Sequence, residues 1–222
     1  MKFGVDKFAG KYNFIALKSR RIRILIVGGG RAAFIKGKAF LDRGCSLYIL
    51  APKFSKDVLN LKTYDNVEFI KNNYDEKYIL DKHLVVIATE DEEVNNEIRN
   101  NCDELSKLYI DCSDKDKSLC FNSFQRESKT MVLALNNKIG CPKATSFIGE
   151  KIKRDLEKYD NYIEYVTYIR SITKNNPMKD EIIDFICSND FHFFFEKGYG
   201  NLILSMFYGG MDFEFYNSYK KK

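Results

Sequence analysis

Nowhere in this 222-residue chain do apolar residues continue for the roughly 18 positions that a membrane-crossing helix requires. The first eleven residues, Met1 to Lys11, mix charge with aromatics and lack the apolar stretch of a secretory signal. A soluble, cytoplasmic protein without a membrane partner is expected. Metal-binding cysteine patterns are missing too. None of Cys45, Cys102, Cys112, Cys120, Cys141 and Cys187 forms a C-x-x-C pair, and His83 and His192 stand far apart. No metal site is therefore expected, and the thiols read as reduced and mostly buried. Internal repeats and low-complexity tracts are also lacking, apart from Lys220-Lys221-Lys222, where a frayed tail is expected.

What is present is ample apolar material: 45% of residues are hydrophobic, including 18 Phe and 14 Tyr. The length suits one large domain, or a compact domain with smaller appendages. The net charge of +5 is unevenly spread. Residues 1–53 hold twelve Lys/Arg against Asp6 and Asp42, a surplus of ten, so the remainder carries a deficit of five. A basic first quarter suits nucleic acid, an anionic cofactor or a polycarboxylate substrate. Because the cations are distributed through several expected elements and form no single run, no nucleic-acid partner is expected.

Ile22 to Val27 reads as a strand buried on both faces. Gly28-Gly29-Gly30 follows, then a helix from Arg31 to about Arg43 with Gly44 at its C-terminal cap. Ser46–Leu50 is a second strand, completing a βαβ unit. A short helix over 55–61 and strands at 67–70, 83–88 and 108–110 continue the alternation, with a polar helix over 91–105. This order predicts an α/β chain with a Rossmann-type, doubly wound parallel sheet. Past Ser113 the pattern changes. Strands are expected at 118–124 and 130–135, then helices at 143–158, 161–173 and 178–187, the last two separated by Asn175-Asn176-Pro177. The expected division is a dinucleotide-binding domain at 1–113, a small β segment at 114–141 and a helical C-terminal domain at 142–222.

Gly28-Gly29-Gly30-Arg31-Ala32-Ala33 fits G-x-G-x-x-A between a buried strand and a helix. Gly28 permits the tight turn, Gly30 lets the backbone approach a pyrophosphate, and Ala33 allows close helix-to-strand packing. Amides at the helix start then hold the phosphates. The other reading is a tight turn without a ligand, and dinucleotide binding is preferred because the strand–turn–helix context is right. The acid that would hold a ribose 2′-hydroxyl about 20 residues on is missing, since the strand ends in Leu50-Ala51-Pro52-Lys53. Lys53 suits a 2′-phosphate or is a solvated loop residue, so charge alone does not separate NAD from NADP.

Together these residues resemble a family. Val27-Gly28-Gly29-Gly30 with Ala32-Ala33 and Lys36 is similar to the V-G-G-G-x-V-A-x-R-K opening of precorrin-2 dehydrogenases and of the N-terminal half of siroheme synthases. Leu50-Ala51-Pro52 resembles that family's V-A-P strand ending. Ala88-Thr89-Glu90-Asp91 with Val94-Asn95 resembles A-T-D-D-x-x-V-N, and Tyr109-Ile110-Asp111 resembles N-V-V-D. The resemblance runs in order from residue 12 to about 112. It implies NAD⁺-dependent oxidation of precorrin-2 to sirohydrochlorin, in some members also Fe²⁺ insertion to siroheme, and a homodimer in which the β segment and the helical domain interlock with the partner. It places the cofactor contacts on Gly28, Gly29, Gly30, Arg31, Ala32, Pro52, Lys53 and Thr89, and the functional aspartate on Asp111.

Asp111 also carries an argument of its own. It ends a strand at the carboxyl edge of the sheet, where open α/β folds bind ligands. A carboxylate there accepts a proton or orients a large ring, unless it serves only as a turn or N-cap aspartate. The basic first quarter suits the many carboxylates of precorrin-2 as well as it suits the cofactor. His83 and His192 read as a strand-edge and a packed helix residue, and neither is assigned a role. The sequence departs from the family at Ile35, where the family has arginine, at Asn122, where it has proline, and at Asn137-Lys138-Ile139, where it has Ser and Gly. These positions lie in the part expected to face the tetrapyrrole. They leave open a second class of function, a nucleotide- or tetrapyrrole-binding sensor or carrier without turnover.

Overall fold

The computed structural model describes residues 12–209. Residues 1–11, where no secretory signal is expected, and Lys220–Lys222, where a frayed tail is expected, lie outside the described residues. The chain divides into two compact units, the first ending at Asn122 and the second beginning at Ser123.

The first unit is a five-stranded parallel sheet in the order β3-β2-β1-β4-β5. Its strands are β1 (Arg23–Val27), β2 (Ser46–Leu50), β3 (Val67–Ile70), β4 (Leu84–Ile87) and β5 (Leu108–Asp111). Helices α1 (Arg31–Leu41), α2 (Lys56–Leu59) and α3 (Glu92–Glu104) connect them. Strand side chains alternate between faces, and the core follows that alternation. Ile24, Ile26, Leu47, Ile49, Leu84 and Val86 pack on one face with Ala33 and Leu41 of α1. Leu25, Val27, Leu50, Val85 and Ile87 pack on the other with Ile98 and Cys102 of α3. Burying each such aliphatic side chain stabilises by about 1.5–3 kcal/mol. A sheet covered on both faces needs the near-continuous apolar strands that this sequence has.

Three expectations need correction. The strand anticipated at 118–124 begins only at Phe124, as β6 (Phe124–Glu127) paired antiparallel with β7 (Val132–Leu135). Residues 118–120 instead run beside β5. The Cys120 amide donates to the Tyr109 carbonyl at 3.1 Å, and the Asp111 amide donates to Ser118 Oγ at 2.7 Å. The helices expected at 143–158 and 161–173 are one helix, α4 (Pro142–Ile172). Asp160 and Asn161 look like a break, but the Asp160 carboxylate turns outward to the β6–β7 turn. It accepts from Ser128 Oγ at 2.7 Å, from the Lys129 amide at 3.1 Å, and from the Thr130 amide and Oγ1 at 2.9 and 2.6 Å. Finally, only Cys45 and Cys102 are buried. Cys112 and Cys120 are half-buried, and Cys141 and Cys187 are exposed at helix ends.

In the second unit, Tyr165 and Ile169 of α4 pack with Ile182 and Ile186 of α5 (Lys179–Ile186), Phe191 of α6 (Asn189–Glu196) and Leu204 of α7 (Gly200–Phe207). The pairs 165/169 and 182/186 are spaced i, i+4, so each helix presents one apolar stripe. Among the described residues no helix is long and apolar enough to cross a membrane.

The Asp160 contacts give a testable pH dependence. Hydrogen bonding from Thr130 and Ser128 and from the two turn amides holds its carboxyl at about 2, below the usual 3.8. The folded state is thus stabilised above pH 3.8, and this contribution is lost as the pH falls toward 2. Asp160→Asn should melt at a lower temperature than wild type at neutral pH. The difference should shrink across that acid window in thermal melts followed by circular dichroism.

Candidate functional site

The crevice sits at the carboxyl ends of β1 and β4, where the strand order reverses and α/β sheets bind ligands. Gly28 leaves β1 at φ +136°, a conformation that side-chain-bearing residues rarely adopt. Its amide donates to the Leu50 carbonyl at 2.9 Å, and the Ala88 amide donates to the Val27 carbonyl at 2.8 Å. A Cβ on Gly28 would lie 2.1 Å from the Ala88 carbonyl oxygen, and one on Gly29 would lie 2.0 Å from that of Lys53. The Gly29 carbonyl accepts from the Ser55 amide at 2.8 Å. Backbone contact therefore brings three separate stretches of sequence together, at Gly28–Gly29, Lys53 and Ala88. A Cβ on Gly30 would meet nothing within 4 Å.

Two helices begin beside this crevice, and they differ. α3 is capped by its own chain: Asp91 accepts from the Glu93 and Val94 amides at 3.0 and 3.2 Å, and Glu92 and Glu93 follow in the first turn. α1 has Gly30 at its cap position, no side-chain cap and no acid in its first turn. Its leading amides are the donors that suit an anionic group. Arg31, Ala32, Pro52 and Lys53 are exposed around it. The donor set and the open space at Gly30 fit a dinucleotide diphosphate.

Thr89, in the β4–α3 loop, is held in place by Asn95. Thr89 Oγ1 donates to Asn95 Oδ1 at 2.7 Å, and Asn95 Nδ2 donates to the Thr89 carbonyl at 3.3 Å. Asp111 ends β5 next to β4, and its side chain has no exposed surface. One carboxylate oxygen accepts from Ser113 Oγ and from the Ser113 and Asp114 amides at 2.6, 2.8 and 3.1 Å; the other pairs with Arg99. Burial pushes the Asp111 carboxyl up, but the hydrogen bonds from Ser113, Asp114 and Arg99 outweigh it and hold the group below the usual carboxylate range.

Asn95 and Arg99 were assigned no role from sequence. The signal was there: the buried positions of α3 are 95, 98, 99 and 102, so two polar residues occupy the apolar stripe. His83 accepts the Arg23 amide on Nδ1 at 3.0 Å, and His192 packs against Tyr159 and Tyr162. No cluster of metal-ligating side chains occurs among the described residues.

Comparison with known proteins bears on this arrangement. A family described as "Putative NAD(P)-binding" matches residues 15–124. A siroheme synthase of Tolumonas auensis is 30% identical over 147 residues, covering 66% of this chain and 30% of that protein. One from Psychrobacter sp. is 35% identical over 83 residues, covering 37% of this chain and 17% of that protein. The chain thus spans less than a third of either siroheme synthase. A precorrin-2 dehydrogenase of Priestia megaterium is 24% identical over 183 residues, covering 76% of this chain and 86% of that protein. Among solved structures, "SirC, precorrin-2 dehydrogenase" superposes with a TM-score of 0.64 at 20% identity, over 89% of this chain and all of that one, which establishes the shared fold. With the glycine turn, the V-A-P-like strand ending and the aspartate strand tip in their expected order on that fold, the chain belongs to the precorrin-2 dehydrogenase and siroheme synthase family.

Proposed function

We propose that this chain is a cytoplasmic, NAD⁺-dependent oxidoreductase that converts precorrin-2 to sirohydrochlorin. The carrying observation is the meeting of Gly28–Gly29, Lys53 and Ala88 beside one uncapped helix start, one strand away from Asp111. The precorrin-2 dehydrogenase relative, matched along 86% of its length, favours an enzyme over a binding-only sensor or carrier.

When bound, NAD⁺ supplies the hydride acceptor; the chain supplies placement and electrostatics. Gly28, Gly29 and Gly30 with the first-turn amides of Arg31 and Ala32 hold the diphosphate. Pro52, Lys53 and Thr89 would line the rest of the cofactor site, where no acid selects a free ribose. Asp111 is the catalytic aspartate of this reading. A carboxyl held ionised is a poor proton acceptor, so its environment favours orienting the ring over taking the proton, which leaves to solvent. Cations of the first quarter attract the substrate's carboxylates.

The same reading includes a homodimer built through residues 114–141 and the helical domain, and Fe²⁺ insertion as a dependent second activity. Purified protein given NAD⁺ and enzymatically generated precorrin-2 should develop the sirohydrochlorin absorption spectrum. An unchanged spectrum, with NAD⁺ binding confirmed by calorimetry, would overturn the dehydrogenase reading in favour of a carrier or sensor.

A further inference from the structure

α3 buries two polar side chains one helical turn apart, Asn95 and Arg99, which are 1% and 6% exposed. Asn95 grips the Thr89 loop by two hydrogen bonds. Arg99 divides its guanidinium. Nη1 pairs with Asp111, while Nη2 donates to Glu92 Oε1 and Asn96 Oδ1, each at 2.6 Å. Glu92 in turn receives Lys117 at 3.0 Å, so the segment that follows Asp111 is tied to α3 at both its start and its middle.

Stability alone does not call for an arginine here. Taking a guanidinium and a carboxylate out of water is costly, and replacing both members of such a pair by apolar side chains of similar volume is commonly neutral or stabilising. The exposed Glu92–Lys117 pair contributes little by itself. What the buried pair adds is geometry: a planar fork with both ends occupied has one orientation, which a lysine cannot reproduce.

We propose that Arg99 is a positioning residue for the reaction: it fixes Asp111 and the 111–118 turn, and so the tetrapyrrole, relative to the Thr89 loop that Asn95 holds from the preceding turn of the same helix. A misplacement of about 1 Å at a reacting centre costs on the order of a hundredfold in rate. This inference rests on the dehydrogenase reading above.

The test uses Arg99→Met, Arg99→Lys and Arg99→Ala in the full chain, with steady-state kinetics, melting curves and sirohydrochlorin titration. Arg99→Met should lower kcat for precorrin-2 about 10- to 100-fold at temperatures where the melt shows it folded, with KM for NAD⁺ within about threefold of wild type. Arg99→Lys should recover little. Millimolar guanidinium should restore part of the lost kcat to Arg99→Ala, and if that variant does not fold, Arg99→Met carries the measurement. A folded Arg99→Met that turns over as wild type does, with only its Tm changed, would show a packing role and overturn the inference. If wild type binds sirohydrochlorin without oxidising precorrin-2, the dehydrogenase reading fails alone; Arg99 is then judged by an expected tenfold weakening, about, of sirohydrochlorin binding. If wild type does neither, both fall together.

Discussion

Gly28→Ala should give a protein that no longer binds NAD⁺, with affinity down about a hundredfold or more. The methyl group would sit 2.1 Å from the Ala88 carbonyl oxygen, and the backbone there is at φ +136°. Neither the strain nor the clash is relieved by a side-chain rotation, since the obstacle is backbone. The loop after β4 must move away from the tip of β1, and the Thr89 side of the crevice moves with it. Gly30→Ala is the informative contrast. Its backbone, at φ −98° and ψ −163°, accepts alanine, and the added Cβ meets nothing within 4 Å. Its Tm should match that of wild type while NAD⁺ affinity falls about tenfold, because the methyl group occupies the approach of the diphosphate. Calorimetry and thermal melts on the two variants separate a broken crevice from an intact but obstructed one. Wild-type NAD⁺ affinity in Gly30→Ala would place the diphosphate elsewhere.

Asp111→Ala should show two losses that a partner substitution can separate. Removing the carboxylate leaves the Arg99 guanidinium buried with one partner fewer, a change that destabilises by about 3–5 kcal/mol. Turnover of precorrin-2 should fall about 100-fold or more. Replacing both members, Asp111→Leu with Arg99→Met, should recover most of the stability because no unpaired charge remains, while turnover stays low. Chemical denaturation and the sirohydrochlorin assay read the two effects on the same samples. A doubly substituted protein that oxidises precorrin-2 at the wild-type rate would remove Asp111 from the chemistry.

Much of the first unit was legible in the sequence for a simple reason. Parallel strands buried on both faces must be apolar throughout, so Ile24 to Val27 and Leu84 to Ile87 announce themselves, and the glycine turn follows the first of them directly. Lys53 and Ala88 meet the glycine turn because β2 and β4 flank β1, so the carboxyl ends of all three strands lie side by side. What escaped were interactions whose partners are distant in the chain. Asp160 reads locally as a helix breaker, and only the Ser128–Thr130 turn, some thirty positions earlier, shows why it is tolerated inside α4. Residues 118–120 have strand-forming character, yet they spend their hydrogen bonds on β5 singly and form no ladder. Arg99 looks like one more charge on a polar helix until Asp111 is placed opposite it. The place of Asp111 at a strand tip was visible in the sequence, but its full set of bonded neighbours was not.

The strip at 118–120 also bears on where the parallel sheet ends. Sheet borders with idle amides and carbonyls template unwanted pairing. Here the Tyr109 carbonyl and the Asp111 amide, which β5 would otherwise offer to a stranger, are already occupied by Cys120 and Ser118. Growth of the sheet by backbone pairing is thereby discouraged on the border next to Asp111, and a neighbouring molecule that meets this border meets side chains and not idle amides.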